Sequence, residues 1–351
     1  MNIKTVRAYA KLIPLKKPYT IARETIYTAE IIFLEIHLSN GICGRGAANP
    51  DPEVIGETPL QTLRNLHSDE VQSGLAEKDI REFHALIGNF RKIYQQFPAT
   101  MAAIDMALHD AFGKWIGLPI VDFYGRHHSK MLTSVTIGIK DVTATLQEAR
   151  EYKSQGFKVL KVKTGIDTEE DAERIIRLYE TFGDYFTIRV DANEGYTTEN
   201  LRYFLNKTAF LPLELTEQPF SPRMNMELLE FPGAIRNKLA ADESLKDAKT
   251  ALELAQDGLF GIFNIKLMKC GGITAAFEIA NIARQADIAL FWGCNDESSI
   301  SISAALHAAF ACSHTRYLDL DGSFDLLEDS DHSGFILEDG FLSILSRPGI
   351  S

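Results

Sequence analysis

The feature that most constrains the fold is a regular repeat of short apolar segments through the second half of the chain. The carboxyl ends of seven such segments fall at residues 163, 191, 217, 242, 267, 293 and 321, in steps of 25 to 28 residues. A parallel strand with its crossover helix and two loops needs about that length. With one earlier segment, the repeat predicts strands at Thr133–Ile139, Phe157–Lys163, Phe186–Asp191, Leu213–Glu217, Leu239–Asp242, Ile262–Leu267, Ile288–Gly293 and Arg316–Asp321.

Helical patterns lie between these predicted strands. One runs over Thr168–Phe182 and opens with Thr168 and Asp171 in the spacing of a capping box. Eight parallel strands separated by helices close naturally into a barrel, so the predicted class is α/β with a TIM-like barrel. The alternative is an open doubly wound sheet, but no GxGxxG motif follows the first strand.

The first part of the chain has a different pattern. About 40 residues alternate in the way strands do, Asn40-Gly41 gives a hairpin signal, and an amphipathic helical pattern extends from about Pro59 to Leu118. Strands followed by helices make an α+β module. We therefore predict an α+β domain over residues 1–125 and a barrel over 126–322. The segment 323–351, with a strand pair at Gly334–Leu345, is predicted to pack back on the first domain.

Composition excludes several classes of function. The 351 residues are enough for two domains, and a net charge of −12 leaves no basic surplus for nucleic acid or an anionic membrane. Four cysteines without CxxC spacing argue against a disulfide framework or a zinc site. The start has no apolar signal core, and the longest uncharged run, 298–315, is read as a buried helix. We expect a cytoplasmic protein.

Ionisable residues lie at five consecutive predicted strand ends, where the active site of a parallel barrel forms: Lys161 and Lys163, Asp191, Glu217, Asp242, and Lys266. The three carboxylates come from neighbouring strands and would converge. Like charges share a buried position only when a cation joins them, and oxygen ligands favour a hard ion such as Mg²⁺. The alternative is that the three acids are unrelated helix caps.

The lysines suggest acid–base chemistry. Strand side chains alternate, so Lys161 and Lys163 point to the same side, and the sixth strand places Lys266 across the barrel. A lysine crowded by other cations has a lowered pKa and can act as a base. Two bases on opposite faces of a carbon next to a metal-bound carboxylate would remove a proton on one face and return it on the other. The alternative is that Lys161 and Lys163 are surface residues of an edge strand.

With these residues, the chain resembles the muconate-lactonising-enzyme subgroup of the enolase superfamily. The resemblance covers nearly the whole chain and is carried by FKVLKVKTG, TIRVDANEGY, LTEQP, ADES and FNIKLMKCGG. It implies an α+β capping domain over a (β/α)7β barrel, with Mg²⁺ on Asp191, Glu217 and Asp242. By similarity Lys163 and Lys266 form the acid/base pair. Lys161 supports the metal-bound carboxylate and lowers the pKa of Lys163.

The residues at the end of the last predicted strand narrow the range of possible substrates. Asp319 and Asp321 are two residues apart, so they project to the same side and need a positive partner. An Asp-x-Asp here resembles the dipeptide epimerases, in which it holds the α-ammonium of the substrate. The resemblance implies inversion of the C-terminal α-carbon through a metal-stabilised enediolate, with Thr136 and Cys294 lining the pocket. The alternatives are that the two aspartates are turn or cap residues, and that Cys294 is a packing residue.

The capping-domain loop Tyr19–Ile26 is expected to determine which substrate side chains the protein accepts. Epimerases acting on Ala-Glu are expected to carry an arginine where alignment through Thr28–Glu30 places Glu24, with Arg23 beside it. Glu24 would favour a neutral or cationic C-terminal residue, unless the loop shifts by one residue and presents Arg23.

Other functions stay open within and beyond the family. The rival activities are those of a muconate-type cycloisomerase, an o-succinylbenzoate synthase and an N-succinylamino-acid racemase. A more distant alternative is a non-catalytic binding protein on the same scaffold. A small dipeptide is the expected partner, and a homo-oligomer is possible.

Overall fold

The structure is a computed structural model that describes residues 1–20, 25–327 and 333–351, apart from the side chains of residues 19 and 20. Among the described residues, none of the helices combines the length and apolar character needed to cross a membrane.

The N-terminal part contains a three-stranded antiparallel sheet in the order β1-β2-β3. Its strands are β1 (Ile3–Thr20), β2 (Thr25–Leu38) and β3 (Cys43–Ala48). The predicted hairpin turn joins β2 to β3, and Gly41 adopts the left-handed φ of 86° that the turn requires. The helices that follow are α1 (Pro52–Ile55), α2 (Pro59–Leu66), α3 (Asp69–Leu75), α4 (Phe83–Ile93), α5 (Pro98–Ile116) and α6 (Ile120–Tyr124), with a 3₁₀ turn at Ile80–Glu82.

Helix α5 packs very closely on β3. A Cβ atom added at Gly46 would lie 2.0 Å from the carbonyl oxygen of Ala103, and one at Gly44 would lie 2.4 Å from that of Ala107. The two glycines on the strand and the alanines on the helix therefore allow the two backbones to approach. This contact fixes α5, the longest described helix, between the sheet and the barrel.

The predicted barrel is confirmed. Eight parallel strands follow one another in the order β12-β11-β10-β9-β8-β7-β6-β5, and a parallel bridge between Thr133 and Leu318 joins the first strand to the last. The strands are β5 (Ser134–Ile137), β6 (Val159–Lys163), β7 (Thr187–Asp191), β8 (Leu215–Glu217), β9 (Leu239–Ala241), β10 (Ile262–Ile265), β11 (Ala289–Trp292) and β12 (Thr315–Leu318).

Helices connect successive barrel strands. They are α7 (Val142–Ser154), α8 (Thr168–Phe182), α9 (Thr198–Lys207), α10 (Gly233–Arg236), α11 (Ala248–Asp257), α12 (Leu267–Cys270), α13 (Ile273–Gln285) and α14 (Ser299–Phe310), with 3₁₀ turns at Gly183–Tyr185 and Pro222–Glu230. The predicted capping box of α8 is wrong. The cap is Asp167, whereas Asp171 is buried and accepts hydrogen bonds from Gly165 N and the Tyr196 hydroxyl.

The C-terminal segment contacts both parts of the chain. Strands β13 (Phe335–Glu338) and β14 (Phe341–Ile344) form a hairpin that pairs with β4 (Lys130–Leu132), just before the barrel. Further on, Ile350 N donates a hydrogen bond to Asp110 of α5. The proposed domain boundaries stay a prediction.

The segment that follows β10 is tied to helix α5. Asp105 lies within α5 and accepts hydrogen bonds from the first backbone amides of α13, Ile273 N at 2.7 Å and Thr274 N at 3.2 Å. Gly272 has a φ of 104°, and a Cβ atom there would lie 2.5 Å from that of Asp105. The absence of a side chain at Gly272 therefore leaves room for the capping carboxylate.

Candidate active site

Three carboxylates meet at the carboxyl rim of the barrel. Asp191 and Glu217 are the last residues of β7 and β8 and are paired in register, and Asp242 directly follows β9. All three side chains are buried. The structure therefore brings together the three acids that the strand spacing predicts.

Hydrogen bonds orient this group of acids. Asp191 accepts from Asn193 N at 3.0 Å, and Glu217 accepts from Asn264 Nδ2 at 2.7 Å. The second oxygen of Glu217, Oε2, is buried and forms an ion pair with Lys161, without a hydrogen bond of good geometry among the described residues. Burial and the neighbouring Asp191 raise the pKa of Glu217 to about 8. Three buried carboxylates in one place suit a hard divalent cation, and they supply the oxygen-only ligands that Mg²⁺ takes.

Lys161 lies among the acids. Its Nζ is 3.0 Å from Asp191 Oδ2, 2.9 Å from Glu217 Oε2 and 2.8 Å from Asp319 Oδ2. Burial alone would lower the pKa of Lys161, but the surrounding carboxylates outweigh it and raise that pKa well above its usual value. The position fits a residue that remains charged and supports an anionic group.

The other two lysines lie at opposite ends of the group of acids. Lys163 Nζ donates to Asp191 Oδ2 at 2.7 Å and to Asn193 Oδ1 at 2.9 Å. Lys266 Nζ is 2.8 Å from Asp242 Oδ2. Both lysines line the same cavity of about 360 Å³, so two ammonium groups face one space from β6 and from the end of β10.

The charged groups of the chain around Lys266 act on its pKa in opposite directions. Burial lowers the pKa of Lys266, but Asp242, with Glu217 and Glu243, outweighs that effect and raises it. A cation bound beside Asp242 would counter the charge of that carboxylate and lower the pKa, as predicted for a lysine near Mg²⁺.

Lys269 is a site residue that the sequence reasoning missed. It is buried, and its Nζ donates to the carboxylate and the carbonyl of Asp242 and, at 3.1 Å, to Asn264 O. Its pKa is lowered, chiefly by burial. The available signal was a second lysine three residues after Lys266, where the one-turn helix α12 brings it back beneath the rim.

The two aspartates after β12 have different surroundings. Asp319 is buried and accepts hydrogen bonds from Ser134 Oγ at 2.6 Å and Lys161 Nζ at 2.8 Å. Asp321 is half-buried and accepts from Thr136 N at 2.7 Å. The chain itself thus supplies a cationic partner for Asp319. Burial and the nearby Asp319 raise the pKa of Asp321 to about 7.

The remaining predicted residues divide into two groups. Thr136 and Cys294 line the cavity with Asp321. The Cys294 thiol also accepts from Gly322 N at 3.3 Å and lies 3.2 Å from Asp319 O, which fits a packing role as well. Glu24 and Arg23 lie outside the described residues, so their predicted contact with substrate stays a prediction.

A second cavity opens from the first towards the N-terminal domain. It has a volume of about 410 Å³, and it shares Lys163, Lys266, Cys294, Asn295 and Asp296 with the first cavity. Residues 25–30 and 49–52 of the N-terminal domain form its other wall. The two lysines thus stand where two lobes of one site meet.

Comparison with known proteins agrees with this geometry. Residues 3–125 match the family described as the mandelate racemase / muconate lactonizing enzyme N-terminal domain, and residues 144–351 match the enolase C-terminal domain-like family. The L-Lys-D/L-Arg epimerase of Desulforapulum autotrophicum is 48% identical over 100% of this chain and 99% of its own. The hydrophobic dipeptide epimerase of Enterococcus faecalis is 35% identical over 93% of this chain and 92% of its own.

A solved structure is also similar to this chain over its full length. The dipeptide epimerase of Methylococcus capsulatus, complexed with Mg and the dipeptide L-Arg-D-Lys, superposes with a TM-score of 0.97. It is 46% identical to this chain, and the match covers 100% of this chain and 99% of the other.

Fold and site together define a barrel enzyme of the enolase superfamily, with its acids at the strand ends and an N-terminal α+β domain beside them. Within that superfamily, the chain belongs to the mandelate racemase / muconate lactonizing enzyme family.

Proposed function

We propose that this protein is a Mg²⁺-dependent dipeptide epimerase, an isomerase that inverts the α-carbon of the C-terminal residue by two-base proton transfer. The observation that supports it most is the placement of Lys163 and Lys266 at opposite ends of one group of acids, facing the same cavity. Two ammonium groups separated in this way can act on the two faces of a carbon between them.

Asp191, Glu217 and Asp242 would hold the metal. When bound, Mg²⁺ supplies positive charge that stabilises the negative charge developing on the substrate carboxylate. The burial of all three carboxylates at one rim of the barrel supports this assignment. Lys161 adds a fixed positive charge beside the same acids.

The lysines would carry the proton. One of them, in its neutral form, takes the α-proton onto Nζ, and the other donates a proton from its Nζ to the opposite face. The bond broken and the bond formed are both to the α-carbon, so the net result is inversion without loss of atoms. Reversing the roles of Lys163 and Lys266 converts the product back.

The amino end of the dipeptide would bind at Asp321. The half-buried carboxylate of Asp321 accepts one backbone hydrogen bond from Thr136 and lines the cavity. Asp319 is less available, because it binds Lys161 and Ser134. We therefore assign Asp319 a supporting role and make Asp321 the better probe for a substrate ammonium.

Dipeptides with cationic side chains are the proposed substrates. Two relatives more than 45% identical over the whole chain are named L-Lys-D/L-Arg epimerases. The predicted Glu24 and the net charge of −12 are consistent with a cationic substrate. A cytoplasmic location and a possible homo-oligomer stay predictions for this protein.

Deuterium incorporation from D₂O tests the function. L-Lys-L-Arg incubated with the Mg²⁺-loaded enzyme should gain one deuterium at the arginine α-carbon and yield the L,D epimer. EDTA should stop the exchange, and added Mg²⁺ should restore it. N-succinyl-L-arginine, which has no free ammonium, is the comparison substrate: faster exchange with it would favour the racemase alternative. Absence of exchange with any L,L-dipeptide in a library would contradict the proposal.

A further inference from the structure

The space of the active site continues beyond Asp321. A further cavity of about 440 Å³ shares Lys17, Tyr152, Asp321 and Asp325 with the active-site cavity, but neither Lys163 nor Lys266 lines it. We call this region the α7 lobe, because Tyr152 and the acidic residues described next lie on α7. A group bound at Asp321 has open space on the side away from the two lysines.

Two acids of α7 line the neighbouring active-site cavity and have partners within the chain. Glu148 pairs with Lys140 and accepts a hydrogen bond from the Tyr152 hydroxyl at 3.2 Å. Glu151 pairs with Lys17. Each of these two acids is therefore neutralised by a lysine of the chain.

Asp325 differs from them. Its carboxylate is half-buried, and it makes no hydrogen bond or ion pair within the described part of the chain. Lys16 and Lys17 also line the α7 lobe, and their charges partly offset the burial that raises the pKa of Asp325. Their ammonium groups are engaged elsewhere, since Lys16 Nζ donates to Phe324 O at 2.5 Å and Lys17 pairs with Glu151. A half-buried carboxylate that makes no hydrogen bond or ion pair would be stabilised by a positively charged ligand group.

Asp321 and Asp325 lie in one cavity, as two acids that the two cationic groups of one residue could occupy. Overlapping turns run through this segment, with bonds from Phe324 N to Asp321 O at 2.8 Å and from Leu326 N to Ser323 O at 3.4 Å. Asp321 and Asp325 both line the α7 lobe, so one bound group can reach both carboxylates. A lysine residue likewise carries an α-ammonium and a side-chain ammonium joined by a flexible four-carbon stem.

We propose that Asp325 binds the cationic side chain of the N-terminal residue of the dipeptide and so selects lysine or arginine at that position. This inference rests on the proposed epimerase function and on Asp321 as the site of the α-ammonium. The side chain would extend from Asp321 into the α7 lobe and supply the positive group that Asp325 lacks.

The test compares two substrates that differ only in the N-terminal side chain, L-Lys-L-Arg and L-Ala-L-Arg. Asp325→Asn keeps the size of the side chain and removes its charge. It should lower kcat/KM for L-Lys-L-Arg roughly 10- to 100-fold, as expected for loss of a charge-assisted hydrogen bond. The value for L-Ala-L-Arg should change by less than about twofold on the same grounds. Asp257→Asn, at an exposed acid at the end of α11, is the matched control and should change neither value.

A charge reversal gives a second arm. Asp325→Lys should make L-Glu-L-Arg a better substrate than L-Lys-L-Arg. Equal losses on both original substrates, or unchanged selectivity in Asp325→Asn, would overturn the assignment of Asp325 while leaving the epimerase function intact. Absence of exchange in the wild type with every one of these dipeptides would instead refute the proposed function.

Discussion

At the scale of single residues, His307 shows how burial sets protonation. It lies within α14, where its Nδ1 accepts a hydrogen bond from Val121 N at 3.0 Å and its Nε2 lies 3.2 Å from Ile350 O. The ring is therefore neutral, with its proton on Nε2, because an N–H donor already faces Nδ1. Burial lowers the pKa of His307 to about 4.

The depressed pKa predicts a loss of stability in acid. Between pH 6.5 and 4 the unfolded chain binds a proton at His307 that the folded chain does not, so stability falls as the pH falls through this window. The contribution is about 3 kcal/mol across the window. Urea unfolding at several pH values should show this slope in the wild type and lose it in His307→Gln. His127→Gln, at an exposed histidine, should keep it, and equal slopes in all three proteins would refute the assignment.

Residue-level prediction succeeded where periodicity alone decides the outcome. The two-residue period of a strand was enough to place Lys161 and Lys163 on one side, and both line the cavity. It could not show that Lys161 binds Asp319, because that contact joins β6 to the end of β12, 158 residues further on. Lys269 was missed for a related reason: α12 has only four residues, too few to give a helical pattern.

At the scale of elements, the N-terminal domain is coupled to the catalytic rim by a helix cap. Asp105 of α5 caps α13, and α13 begins seven residues after Lys266. The boundaries of α13 were predictable from its own residues, whereas its cap lies 168 residues away in sequence. Local patterns specify elements, but the partner of an element's end depends on the assembled fold.

Removing the Asp105 cap should lower the free energy of unfolding more than removing a solvent-exposed helix cap. Asp105→Ala would leave one buried and one partly buried backbone amide without this acceptor, so we expect a loss of about 2–3 kcal/mol in unfolding free energy. Asp141→Ala removes the exposed cap of α7, which accepts from Ala144 N, and should cost about 1 kcal/mol. Urea unfolding of both variants measures the difference. Equal losses would mean that the Asp105 cap contributes no more than a solvent-exposed one.

At the scale of the whole molecule, the barrel concentrates acids that repel one another in the folded state. Asp191, Glu217 and Asp242 converge only when β7, β8 and β9 are assembled. The repeat of 25 to 28 residues was therefore enough to predict both the barrel and the place of its site. It did not predict that the C-terminal hairpin would extend the sheet of β4, because short strands pair without a sequence-specific signal.

Metal binding should therefore stabilise the entire fold. A cation that binds only the native arrangement adds about 2.7 kcal/mol at 100 times its dissociation constant. Urea unfolding with Mg²⁺ should show this gain over EDTA-treated protein, while NaCl at equal ionic strength should not. Glu217→Gln should remove most of the gain. An undiminished gain in that variant, with normal unfolding of the metal-free protein, would argue against the carboxylate site.

The face on which each lysine acts can be measured directly with purified epimers. L-Lys-L-Arg and L-Lys-D-Arg are incubated separately in D₂O with Lys163→Ala and with Lys266→Ala. In each reaction, deuterium at the arginine α-carbon is quantified in the epimer that was supplied. Epimerisation should fall roughly 10²- to 10⁴-fold or more in both variants. Each variant should retain exchange with one epimer only, and the retained epimer should differ between the two. Loss of exchange from the same epimer in both variants would place the two lysines on one face and contradict the two-base reaction.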